Sequence, residues 1–98
     1  MPKGYLVATL DLHNPEAYAP YRDKVPALIE KHGGRYLVRG GAVEALEGQA
    51  DFSRVVVVEF PSVDAVKAFY NDPDYQHIVP LRTDNATGTL IVAEGVGG

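Results

Sequence analysis

Two glycine pairs, Gly33-Gly34 and Gly40-Gly41, bracket the run Arg35-Tyr36-Leu37-Val38-Arg39 and constrain the chain more than any other stretch. Upstream, Tyr18, Tyr21, Val25, Leu28 and Ile29 recur at helical spacing. Gly33 supplies the left-handed position on which such a helix ends. The β-rich run behind it reads as a short strand, and alternation puts Arg35, Leu37 and Arg39 on one face. The second pair then breaks that strand. A loop from Gly41 to Phe52 would be long for so small a domain. A bulge at Gly40-Gly41 with the strand continuing through Ala42 to Leu46 is therefore expected, the turn falling at Glu47-Gly48-Gln49-Ala50-Asp51. The pair lacks the spacing and following helix of a phosphate-binding loop.

The rest of the chain fits around this stretch. Gly4 to Leu12 reads as a strand with Leu6, Ala8 and Leu10 on one face and Tyr5, Val7, Thr9 and Asp11 on the other. Asn14-Pro15-Glu16 starts the first helix with a cap, a first-turn proline and an acid at the positive end of the dipole. Pro26 lies inside that helix, so a kink is expected there. Phe52 to Phe60 is a third strand, apolar on both faces through Val55-Val56-Val57-Val58. Ser62 caps a second helix that turns Ala65, Val66, Phe69 and Tyr70 inward. Asp72-Pro73 opens a short helix over Asp74 to Val79, closed by Pro80, and Gly88 to Glu94 is the last strand.

Composition narrows the function classes. The formal net charge is −4 with lysine and arginine scattered, which argues against a nucleic-acid or anionic-membrane partner. There is no cysteine, so disulfides, thiolate metal sites and redox motifs are excluded. The apolar run Tyr5 to Leu10 is too short to span a membrane, and no signal peptide is read. Residues 1–98 are expected to form a single domain located in the cytoplasm.

The order β-α-β, β-α-β, with a cap-bearing helix start after the first strand of each half, is the α+β, ferredoxin-like plan. It predicts a four-stranded antiparallel sheet with its helices on one face. The other face would carry Val7, Leu37, Val55, Val57 and Ile91, an apolar surface that a second copy of the chain would cover in a two-fold homodimer.

Several stretches also resemble one family. They include Gly4-Tyr5, Asn14-Pro15-Glu16-Ala17-Tyr18, Gly33 through Gly41, Leu46-Glu47-Gly48, Val58-Glu59-Phe60-Pro61-Ser62, Asp72-Pro73-Asp74-Tyr75-Gln76 and Leu81-Arg82. In this order they are similar to the bacterial family called domain of unknown function 1330, of the dimeric α+β barrel superfamily. The resemblance implies a homodimeric α+β barrel of two ferredoxin-like sheets. It implies no reaction, since that superfamily spans cofactor-free oxygenases, lactone isomerases, haem-dependent enzymes and ligand-sensing domains.

Few residues suggest chemistry. His13, His32 and His77 are scattered and show no metal-ligand spacing, so neither metal nor cofactor is expected. His32 reads as a helix-end residue. His77 and His13 are the candidate general bases, against the plainer reading of exposed histidines. Tyr18, Tyr21 and Tyr75, with Arg82 as a carboxylate clamp, are the candidate ligand-binding set; the plainer reading is that the rings fill the core and Arg82 makes a surface ion pair. Asp11, Arg39 and Glu59 are expected on the open sheet face as ion pairs between subunits.

These readings combine into an expected homodimer that binds a small aromatic or carboxylate ligand between helices and sheet. An enzymatic version adds cofactor-free oxygenase or isomerase chemistry, with Arg82 or Arg39 stabilising an enolate. The alternative is a structural or regulatory dimer without catalytic activity.

Overall fold

The computed structural model describes residues 2–97. In chain order these form β1 (Gly4–Leu12), α1 (Pro15–Lys31), β2 (Arg35–Arg39), β3 (Arg54–Phe60), α2 (Val63–Tyr70), α3 (Pro73–Thr83) and β4 (Ala86–Glu94). The strands make one antiparallel sheet in the order β2-β3-β1-β4. The helices cover one face of it, which is the expected ferredoxin-like arrangement.

Local chemistry sets most of the boundaries. The Asn14 side chain accepts a hydrogen bond from the Ala17 amide at 3.1 Å, and the Ser62 hydroxyl accepts one from Ala65 at 3.1 Å. Gly33 ends α1 at φ 82°, and Gly33 and Gly34 donate to the carbonyls of Glu30 and Ile29. Between helices and sheet, Phe60, Phe69, Tyr75 and Val58 are all 0% exposed. Each such apolar side chain contributes about 1.5–3 kcal/mol by leaving water. Phe69 lies 4.4 Å from Tyr75 and 5.6 Å from Phe60, centroid to centroid, at the centre of the core.

Asp72 ties the helices together. Its carboxylate caps α3 through the Asp74 amide at 2.9 Å and also receives Lys31 at 2.9 Å and His32 at 2.8 Å from the end of α1. Those three donors, His32 and Lys31 foremost, hold its pKa well below the ordinary carboxylate range.

Four expectations need correction. No hairpin runs through Ala42 to Leu46: β2 stops at Arg39, and residues 40–53 form an exposed loop. The ladder irregularity lies instead within β2, between Tyr36 and Val38, so Leu37 is the extra residue. Second, β3 starts at Arg54 rather than Phe52, and β4 starts at Ala86 rather than Gly88. Third, α3 passes through Pro80 to Thr83, because proline removes only one donor and burial of Ile78 and Tyr75 holds the helix. Fourth, Arg39 does not lie on the open face. Past the bulge, Val38 pairs with Val57 and Arg39 with Val56, which exchanges their faces. Helix α1 itself is unbroken through both Pro20 and Pro26.

Candidate functional site

The bulge at Leu37 builds the site. It turns Arg39 toward the helices, and Pro26 prepares a partner for it. A proline at position 26 cannot donate to the carbonyl four residues earlier, that of Arg22. The Arg39 guanidinium donates to this freed carbonyl at 3.1 Å and packs over the Tyr36 ring at 4.7 Å.

Arg39 thereby joins Arg22 from α1, Arg54 from the start of β3 and Arg82 from the last turn of α3 around one cavity. Four of the chain's five arginines meet here, and no acidic side chain lines the cavity among the described residues. The rest of the lining is largely apolar and aromatic, with Leu10, Tyr36 and Val56 from the sheet and Tyr18, Tyr21 and Val25 from α1. Arg54 stacks over Tyr18 at 5.8 Å and Arg82 over Tyr21 at 6.0 Å. The Nε atoms of Arg54 and Arg82 are buried without a hydrogen-bond partner among the described residues. Gly40, at φ 68°, lets the Arg54 guanidinium lie against the backbone where a Cβ would overlap it. The cavity volume is about 30 Å³, room for about two waters at 10–15 Å³ each.

The tyrosines divide into two roles. Tyr18 and Tyr21 face the cavity, whereas Tyr75 is fully buried outside its lining and shares a 2.8 Å hydrogen bond with the Tyr21 hydroxyl. Burial, reinforced by Tyr75, pushes the Tyr21 phenol far above its ordinary pKa, so it stays neutral and serves as a hydrogen-bonding group. Burial also raises Tyr36, a shift that the Arg39 charge opposes.

The remaining sequence candidates lie elsewhere. His77 is exposed on α3, and His13 is exposed beside Thr87, 3.0 Å from its hydroxyl; neither lines the cavity. Asp11 and Glu59 are on the open sheet face, Asp11 opposite Thr87 in the β1–β4 ladder. Glu59 accepts hydrogen bonds from Arg35 at 3.2 Å and from Tyr5 at 3.2 Å. Its arginine partner is therefore Arg35, with Arg39 on the other side of the sheet. Arg22 and Arg54 were not among the candidates. A signal for each exists: Arg54 shares strand parity with Val56, Val58 and Phe60, and Arg22 stands one helical turn after Tyr18.

A family model described as Domain of unknown function (DUF1330) matches residues 3–96, and the chain belongs to that family. No curated protein matches the sequence. Among solved structures, the chain is similar to a protein of unknown function from Rhodopseudomonas palustris, at 24% identity and a TM-score of 0.79, covering 99% of this chain and 85% of that one. It is also similar to SnoaB, a cofactor-independent oxygenase from Streptomyces nogalater, at 13% identity and a TM-score of 0.62, covering 100% and 97%. A dimeric ferredoxin-like protein of unknown function from Thermobifida fusca follows at 13% identity and a TM-score of 0.51, covering 95% and 89%. At these identities the likeness concerns the fold. Among the described residues no helix is long and apolar enough to cross a membrane.

Proposed function

We propose that this member of the DUF1330 family is a homodimer that binds a small organic acid in the arginine-rimmed cavity of each subunit. One observation carries the ligand reading: Arg22, Arg39, Arg54 and Arg82 converge on an apolar, tyrosine-walled cavity without a carboxylate among them. Like charges gather in this way at a cost, which a bound anion offsets through charge-assisted, bidentate hydrogen bonds. Tyr18, Tyr21 and Tyr36 supply flat walls suited to a ring or short apolar chain. The homodimer reading rests on the partly exposed apolar face made by Val7, Val55, Val57 and Ile91. The dimeric state of the Thermobifida protein agrees with it.

Cofactor-free oxygenase chemistry is the enzymatic form of this proposal, supported by the shared fold of SnoaB alone. His13 and His77 lie away from the cavity, so a base for that chemistry would come from another group. The second reading, a structural dimer, is favoured by the cavity volume of about 30 Å³, since drug-sized ligands occupy about 300–1,000 Å³. Thermal unfolding with benzoate separates the two, because a ligand of the folded state alone raises the melting temperature. A concentration-dependent rise that is absent from Arg82→Gln is expected. An unchanged melting temperature at millimolar benzoate and other small carboxylates would favour the structural dimer.

A further inference from the structure

We infer that the ligand of the arginine-rimmed cavity is a small organic dianion, an inference that rests on the cavity being a ligand site. The donors and charges around it exceed what one carboxylate can satisfy. Each guanidinium offers five N–H donors, whereas a carboxylate offers about four lone-pair positions. Arg22 has an exposed, 3.6 Å contact with Asp23, and Arg39 spends one donor on the Arg22 carbonyl. Among the described residues Arg39, Arg54 and Arg82 make no ion pair with a carboxylate. The tyrosine faces beneath them spread their charge without neutralising it.

The two buried, unpartnered Nε atoms belong to different arginines on different elements, Arg54 on β3 and Arg82 on α3. A monoanion that pairs with one of these arginines leaves the other, with its buried Nε, without a counter-charge. A second negative charge removes that penalty. The apolar lining takes the body, and a cavity of about 30 Å³ admits one ring or a short chain only as lining side chains move aside. Aromatic dicarboxylates and aryl phosphates share this chemistry.

Isothermal titration of the full chain with phthalate, phenyl phosphate, benzoate, benzamide and inorganic phosphate tests the inference and separates the two sources. At least one aryl dianion is expected to bind about tenfold or more tightly than benzoate, with benzamide giving no heat. The stronger of phthalate and phenyl phosphate names the head group. Arg54→Gln and Arg82→Gln should each weaken the dianion about tenfold, and the exposed control Lys24→Gln should not. Arg54→Lys, which keeps the charge and loses the fork, should fall between wild type and Arg54→Gln and guards against a folding defect. Benzoate matching both dianions would overturn the inference and leave the ligand site standing. Inorganic phosphate matching phenyl phosphate and phthalate would overturn its organic part. No binding by any anion would overturn this inference and the ligand reading together.

Discussion

The two faces of the sheet both carry branched apolar side chains and meet opposite fates in the fold. On the helix side, Leu6, Ala8 and Leu10 of β1 and Val58 and Phe60 of β3 are at most 7% exposed. On the other side, Val7, Val55 and Val57 stay partly exposed and Ile91 is 53% exposed. One face is completed within the chain by α1, α2 and α3. The other holds the Tyr5–Glu59–Arg35 cluster, the Thr9–Thr89 hydroxyl pair and Asp11, together with Val7, Val55, Val57 and Ile91, which no helix among the described residues covers. The difference separates stability from assembly: changes behind the helices should act on folding, and changes on the open face should act on association.

The largest effect is expected behind the helices. Phe69→Ala removes the ring that touches both Phe60 and Tyr75 and should cost about 3–5 kcal/mol in urea unfolding. A loss below about 1 kcal/mol would mean that this core is not close-packed. On the open face, Val57→Asp should leave the fold intact and raise the dimer dissociation constant about a hundredfold, because the two-fold axis presents each change twice. Sedimentation velocity distinguishes that outcome from unfolding.

A smaller and pH-confined effect is expected at Asp72. Its folded pKa lies below the unfolded value, so its contribution is complete above the unfolded pKa of about 3.9 and is lost as pH falls toward the folded one. Asp72→Asn should therefore lower stability at neutral pH and flatten the acid limb of the stability profile. Parallel acid limbs for the two proteins would show that the links to Lys31 and His32 carry no stability. The smallest effect on assembly is expected from Arg39→Leu. Because the bulge turns Arg39 to the helix side, dimer dissociation should be unchanged while anion binding weakens. Weakened association would return Arg39 to the open face.

The frame of the fold was legible because its signals are local. Asn14, Ser62 and Asp72 each cap a helix through an amide two or three residues away, and Gly33 ends α1 by its own backbone conformation. The site was only half legible, because its decisive feature is not local. Nothing about Leu37 marks it as a bulge residue; the irregularity appears only when β2 pairs with β3. A strict alternation therefore sends Arg39 to the wrong face and hides the arginine cluster. The same reason explains the long loop at residues 40–53, where the glycine pair and the run Ala42 to Leu46 allowed a hairpin that the sheet does not extend to pair with. Pro26 shows how a remark about local structure becomes one about the site: the carbonyl it frees on Arg22 is the one that Arg39 takes.

Sedimentation equilibrium of the wild-type chain across the micromolar range tests most directly whether a second copy completes the open face. A mass of two chains is expected, falling toward one in Val57→Asp and staying at two in Arg39→Leu. A wild-type protein that remains a single chain at tens of micromolar would contradict it.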